Sequence, residues 1–367
     1  MIKAPEHVLL VRPYVPGKPI GELERELGIR NPVKLASNEN PLGPSPLALA
    51  AIEADLKSKN LNRYPDGGGF YLKAALSSRL GVQPGSIILG NGSNELIDIA
   101  VRAFMSPGDR AVMAVPSFVV YSMSVTLAGG QAIQVPLKAF THDLDAMCDA
   151  ARESETGIKM LFIANPNNPT GTINTKDEYE RLFARLPEDV LVVLDEAYAE
   201  YVEQKRPDYP EGLKYLLEGR NVLILRTFSK IYGLAGLRVG YGISKPEILS
   251  QMERVRAPFN TNSIGQAAAL AALEDGAHLA ASRAMNEEGK VFLYSELSAL
   301  GMDFLKTEAN FIYMPVDDAG RLFNELLMAG VIIRPMGAKA LRVTIGLPEE
   351  NRRFIDALKT VLKKTKI

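Results

Sequence analysis

Val190-Leu191-Val192-Val193-Leu194, followed at once by Asp195-Glu196-Ala197-Tyr198, is the stretch that sets the fold class. An unbroken apolar run rich in β-branched valine, with no polar alternation, predicts a strand buried on both faces of a mostly parallel sheet. Working outward from it, short β-rich runs recur at 86–89, 111–115, 131–137, 160–164, 222–225 and 237–242. Amphipathic stretches at 93–105, 144–153 and 175–186 fit between them as helices, the last two opening on Asp and Thr residues suited to N-caps. This alternation predicts an α/β domain with helices on both sides of the sheet. After about residue 245 the character changes. Helical stretches at 245–256 and 266–273 precede strand-like runs at 309–315, 331–334 and 341–345, with helices at 319–329 and from Pro348. The expected division is a large domain over 31–260, and a smaller α+β unit formed by 261–367 with the Pro- and Gly-rich segment 1–30.

Composition narrows the function. At 367 residues the chain is long enough for two or three domains, and about three quarters of its surface should be buried on folding. A 47% hydrophobic and 23% charged composition is that of a globular protein, not a disordered one. Lys+Arg 42 against Asp+Glu 43 leaves a net charge of −1, so the general positive field that drives nucleic-acid or anionic-membrane binding is missing. No apolar run approaches a membrane span, and Val8–Val11, stopped by Arg12 and Pro13, is no signal peptide. The lone Cys148 excludes an intrachain disulfide and a multi-thiolate metal site, and it reads as a packing or surface residue; the chain is expected to be cytoplasmic. His7, His142 and His278 lie far apart without an HExxH pairing, so no metal is expected. Neither GxSxG nor GxxxxGK occurs.

Four segments carry chemistry. Asp195 stands at the carboxyl end of the most apolar strand, where open α/β sheets bind their ligands. A desolvated carboxylate there needs a cation or hydrogen-bond donors. Lys230, in Thr227-Phe228-Ser229-Lys230, follows the next strand, and a lysine near a buried carboxylate is a candidate for imine chemistry. Gly90-Asn91-Gly92-Ser93-Asn94 joins a strand to a helix whose free N–H groups suit a phosphate; Glu95, where a third glycine would stand, rules out the dinucleotide fingerprint. Asn165-Pro166-Asn167-Asn168-Pro169-Thr170-Gly171 is a rigid turn at a further strand exit. Taken singly these are an ordinary cap, a surface charge and two turns. Together, an imine-forming lysine, a carboxylate for a pyridine nitrogen and a phosphate cradle are what a pyridoxal phosphate enzyme needs.

Asn168-Pro169-Thr170-Gly171, Asp195-Glu196-Ala197-Tyr198, Ser229-Lys230 and Gly236-Leu237-Arg238 resemble, in order and spacing, the fold-type-I aminotransferases that use pyridoxal phosphate. Ser37 to Pro44, Arg63-Tyr64-Pro65-Asp66 and Arg226 to Lys230 look like the histidinol-phosphate aminotransferase family, and the resemblance runs from Arg12 to Arg342. It implies a large cofactor domain with a smaller α+β domain, and a role for each matching residue. Lys230 carries the cofactor through an imine, Asp195 pairs with its ring nitrogen, and Tyr198 and Asn168 bond its ring hydroxyl. Phe118 stacks on the ring, where many relatives have Tyr. Gly92, Ser93, Asn94, Ser229 and Arg238, with Thr227, hold the phosphate. Tyr64 reaches the phosphate of a neighbouring subunit, which implies a homodimer. Arg334 and Arg342 meet the anionic end of the substrate, and Tyr14 and Asn40 line the imidazole side. The reaction implied is amino transfer between L-histidinol phosphate and 2-oxoglutarate, giving imidazole-acetol phosphate and glutamate. Aromatic aminotransferases and threonine-phosphate decarboxylases share most of these motifs; Ser229 before the lysine, where the decarboxylases often carry Thr, favours the aminotransferase. A regulator with an aminotransferase-like domain would need a DNA-binding unit, for which residues 1–30 are too few. The broken glycine pattern disfavours a nucleotide-dependent oxidoreductase.

Overall fold

Strand Leu191–Asp195 lies at the centre of a seven-stranded sheet. Across the sheet the strands run Ile87–Gly90, Gly240–Ile243, Val222–Thr227, Leu191–Asp195, Met160–Ala164, Arg110–Val115 and Gln131–Pro136. Gly240–Ile243 runs antiparallel to both of its neighbours, and the other pairings are parallel. The computed structural model describes residues 2–14, 17–58, 60–153, 157–202 and 206–365.

The unbroken apolar runs are explained by the two faces. Val192, Leu194, Leu161, Ile163 and Ile224 enter one hydrophobic core, while Leu191, Val193, Met160, Phe162 and Leu223 enter the core on the opposite face. Successive strand residues point to opposite sides, so a strand covered on both sides must be apolar throughout. Helix Leu144–Arg152 is capped by the Asp143 side chain and buries Cys148, and Lys176–Arg185 opens on a full capping box between Thr175 and Glu178. Both caps satisfy amide groups that the first helical turn leaves free.

A second core is built around the antiparallel strands Phe311–Pro315, Ala340–Thr344 and Arg334–Pro335, covered by helices Ala319–Met328 and Pro348–Thr365. Val33–Lys34 joins it by pairing in parallel with Val331–Ile332. The expected single strand over 331–334 is therefore two short ones that serve different sheets. Helix Ser263–Glu274 packs on Pro46–Lys57 and Phe70–Leu80, and its Ala268, Ala269 and Ala272 belong to the large core. Helix Gly276–Ala299, absent from the reading of the sequence, runs from the large core at Leu279 to the smaller one at Leu293 and Leu297. Among the described residues no helix is long and apolar enough to cross a membrane.

His142 is buried just ahead of helix Leu144–Arg152, its carbonyl accepting the Asn174 amide at 2.9 Å. Burial pushes the imidazole from the usual 6.5 down to about 4, against a smaller opposing effect of Asn167. A depressed pKa in the folded state gives stability that is present above the unfolded value and lost as pH falls through the folded one. Acidification from pH 7 to 4 should therefore remove up to about 3 kcal/mol through this residue. His142→Leu should lose less of its urea-unfolding free energy than the wild type over that interval; equal losses would show that the imidazole does not titrate on unfolding.

Candidate active site

Four parallel strands end on the same side of the sheet, and the residues just beyond them line one cavity of about 950 Å³. Ser117 and Phe118 follow Arg110–Val115, Asn168 follows Met160–Ala164, Asp195, Ala197 and Tyr198 stand at the end of Leu191–Asp195, and Thr227, Ser229 and Lys230 at the end of Val222–Thr227. The chain switches direction across the sheet between Arg110–Val115 and Met160–Ala164, and such switch points at strand carboxyl ends leave an open crevice.

The two adjacent carboxylates of the Asp195-Glu196 pair are separated by the end of the strand. Asp195 lines the cavity, whereas Glu196 turns away into an ion pair with Arg226, at 2.6 and 2.9 Å, and accepts the Gly212 N–H at 2.9 Å. Asp195 is buried, and burial raises its carboxyl above the ordinary range. Opposing that are the Tyr121 hydroxyl, which donates to Oδ2 at 2.6 Å, the Ala197 N–H, which donates to Oδ1 at 3.1 Å, and the positive charge of Lys230. Reading the sequence missed Tyr121, because nothing local to residue 121 relates it to residue 195.

Lys230 Nζ donates to the Ser37 carbonyl at 3.2 Å and lies 5.5 Å from the centre of the Tyr198 ring. The Tyr198 hydroxyl accepts from Asn38 Nδ2 at 2.9 Å. Asn38 has a left-handed φ of 55°, a conformation that Asn tolerates better than most residues, and it is fixed there by its N–H bond to Thr344 Oγ1 at 2.9 Å. Asn38 lines the cavity, but Asn40, the residue expected there, does not. The Asn40 amide is committed instead to the Ile231 carbonyl at 2.7 Å, Ser282 Oγ at 2.9 Å and the Leu42 N–H at 3.1 Å.

At the other end of the cavity Ser93, Asn94, Thr227, Ser229 and Arg238 converge. Arg238 interrupts the strand expected over 237–242: it takes a left-handed φ of 57° and aims Nη1 at Ser229 Oγ, 3.3 Å away, and at the Ala235 carbonyl, 3.1 Å away. Gly92, with φ 79°, lies behind this corner; a Cβ there would stand 2.4 Å from Arg238 Nη2. Gly240 has the same function from the sheet, since its Cβ would stand 2.3 Å from the Ser93 nitrogen. Glycine at both places lets a backbone N–H cradle close against a guanidinium, which is a donor set for a phosphate.

One wall of the cavity is cationic. Arg334 and Arg342 are directly opposed across their antiparallel strands, and both line the cavity. Arg342 donates to Asn168 Oδ1 at 2.5 Å and to the Ala36 carbonyl at 2.9 Å, while its buried Nε has no partner among the described residues. Burial, more than the neighbouring charge of Arg334, lowers its pKa. Arg334 stacks over the Tyr14 ring at 5.3 Å. Phe118 packs edge-on against Tyr121, at 5.7 Å. Tyr64 does not reach this cavity: it is 81% exposed and stacks on Phe259 at 4.6 Å.

A lysine and a buried carboxylate at neighbouring strand exits, with a phosphate cradle and paired arginines around one cavity, define an enzyme of the aminotransferase kind. The family model described as Aminotransferase class I and II matches residues 30–358, and the chain belongs to that family. The histidinol-phosphate aminotransferase of Moorella thermoacetica is 49% identical over 366 residues, covering 98% of this chain and 93% of the relative. Histidinol-phosphate aminotransferase 1 of Nitrosococcus oceani is 50% identical over 357 residues, covering 96% and 95%. Among solved structures, the histidinol-phosphate aminotransferase of Sinorhizobium meliloti in complex with pyridoxal-5'-phosphate superposes with a TM-score of 0.90 at 28% identity, covering 100% of this chain and 99% of the other.

The Gly240 contact gives a direct test of the cradle. Its missing Cβ would press on backbone atoms, which cannot swing aside as a long side chain can. Gly240→Ala should lower unfolding free energy by about 2 kcal/mol, as overpacking of this kind does. An unchanged urea midpoint would mean that the Gly92–Ser93 turn yields freely and is not held in place by the sheet.

Proposed function

We propose that the chain is a cytoplasmic pyridoxal-phosphate-dependent enzyme that transfers an amino group between L-histidinol phosphate and 2-oxoglutarate, and that it works as a homodimer. The observation that carries this reading is the meeting of Lys230 and Asp195 with the opposed pair Arg334 and Arg342 around a single cavity. The identity of about one half to histidinol-phosphate aminotransferases supports the choice of substrate. The residues present fit the cofactor: Lys230 would hold its aldehyde carbon, Asp195 its ring nitrogen, Tyr198 and Asn168 its ring hydroxyl, and Phe118 its ring face. Ser93, Asn94, Thr227, Ser229 and Arg238 would hold its phosphate around the corner that Gly92 leaves open. When bound, the protonated ring withdraws the electrons left by a broken Cα–H bond.

The rest of the chemistry belongs to the chain. Asp195 keeps a negative charge at the floor of the cavity, so a protonated nitrogen placed there is stabilised. The Lys230 amine, once free, takes the substrate Cα proton and returns it, acting as general base and then general acid. Its bond to the Ser37 carbonyl keeps that amine on the cavity side. Two arginines facing each other across a ladder repel one another, and a dianionic phosphate relieves that repulsion better than a carboxylate does. Tyr64, pointing away from its own cavity, would serve the neighbouring subunit, whose cofactor phosphate it would reach.

Titrating the protein, supplied with pyridoxal phosphate, with L-histidinol phosphate tests the reading through loss of the visible band. Bleaching at low concentration, with phenylalanine far weaker, is expected; preferential bleaching by phenylalanine would move the assignment to aromatic amino acids. Lys230→Ala should lack the visible imine band and nearly all activity, and a variant that keeps both would overturn the proposal. Arg334→Gln should raise KM for histidinol phosphate about tenfold or more, the scale of one charge-assisted hydrogen bond, with kcat changed little.

A further inference from the structure

We infer that Tyr121 is the positioning residue that keeps the Asp195 carboxylate charged and aimed into the cavity, through the hydrogen bond from its hydroxyl. The inference rests on the pyridoxal phosphate reading above and adds to it a residue outside the motifs that carry the family resemblance. Tyr121 is 1% exposed and lies near the start of helix Val120–Leu127. Its ring stacks on Phe162 at 5.0 Å and 15°, and Phe118 makes an edge-on contact with it at 5.7 Å. Packed against both rings, the phenol donates its hydroxyl to Asp195 Oδ2 at 2.6 Å.

The geometry matters because each carboxylate oxygen receives one neutral donor, Tyr121 on Oδ2 and the Ala197 N–H on Oδ1. Neither donor brings a positive charge, so the full negative charge of Asp195 stays available to a cationic nitrogen. A buried carboxylate bonded in this way is held closer to its ionised form than burial alone would leave it, without being neutralised by a salt bridge. The charged and titratable groups that bear on the pair are Lys230, Glu196, Tyr198 and Tyr179. Burial and the nearby carboxylate push the Tyr121 phenol far up, so it remains a donor wherever the enzyme works. Phe118, which would stack on the cofactor ring, rests on the same phenol, so the ring's face and its nitrogen are located by one side chain.

A double-mutant cycle on cofactor affinity tests this, with the dissociation constant of pyridoxal phosphate read from the visible band as it is titrated into the cofactor-free full chain. Tyr121→Phe should weaken binding about tenfold in the wild-type background, as loss of a hydrogen bond to a charged group does. In the Asp195→Asn background the same substitution should change binding less than about twofold. Equal losses in both backgrounds would overturn the inference, because a purely structural tyrosine acts whatever residue 195 is. A wild-type chain that gives no band would overturn the cofactor reading, and this inference with it; a wild type that binds normally but shows no coupling overturns this inference alone. A second measurement needs no cofactor. The raised carboxyl of Asp195 favours folding while protonated, and that contribution is lost as pH rises through its folded pKa. Removing the donor raises that pKa further, so the gap in thermal midpoint between wild type and Tyr121→Phe should widen as pH rises above the ordinary carboxylate range. A gap constant with pH would also overturn the inference.

Discussion

Asp195 places a carboxyl group at the end of a strand whose other residues are buried on both faces. A carboxylate with no compensation in such a place would take up a proton or unfold the strand end. What surrounds it can be read as the answer to that difficulty. A phenol and an amide N–H meet its two oxygens, and a lysine from the next strand exit supplies the opposite charge at longer range. Glu196, one residue further, meets the same difficulty differently, by a direct ion pair with Arg226 and a bond from Gly212. One carboxylate is neutralised by an ion pair and the other is met by neutral donors facing the cavity.

The arginines show the reverse situation. Arg334 and Arg342 sit in register on paired strands, where like charges are unfavourable. Arg342 offsets part of this through Asn168 and the Ala36 carbonyl, and the Tyr14 ring gives Arg334 a surface to stack on. An Nε without a partner among the described residues and a guanidinium resting on an aromatic face remain without a counter-charge. Both the carboxylate floor and the cationic wall are thus unfavourable alone, and each is favourable once a ligand of opposite charge enters.

Much of this was legible in the sequence, because strand runs and strand exits are local features. The apolar runs located six of the seven strands of the large sheet to within a residue or two, the seventh beginning at Gly240 and not at Leu237, and reading which residues follow each run brought Asp195, Lys230, Asn168 and Ser93 to one edge. Helix Gly276–Ala299 escaped for a physical reason. Its buried face carries Ser282, Asn286 and Gly289 as well as Leu279, Leu293 and Leu297, so apolar periodicity is diluted. Those small and polar residues are there for tertiary reasons: Ser282 accepts from Asn40, Asn286 donates to the Ala309 carbonyl, and Gly289 lets Ile345 approach. Asn40 was placed in the cavity for a related reason. The motif around it is correct, but which of two nearby asparagines faces inward depends on the left-handed turn at Asn38, which spacing does not reveal.

The segment from Leu35 to Asn38 has a consequence of its own. Its carbonyls and side chain are taken in turn by Thr344 N–H, Arg342, Lys230 and Tyr198, so of four consecutive residues the first two are held by the smaller sheet and the last two by residues at strand exits of the larger one. The segment acts as a seam, sewn to both sides by bonds close to 3 Å long. A seam of that kind has little slack. The distance between the Lys230 amine and the Arg342 guanidinium is therefore set by how well two separate cores dock, and alignment in this enzyme is a property of the whole fold, held by a thread four residues long.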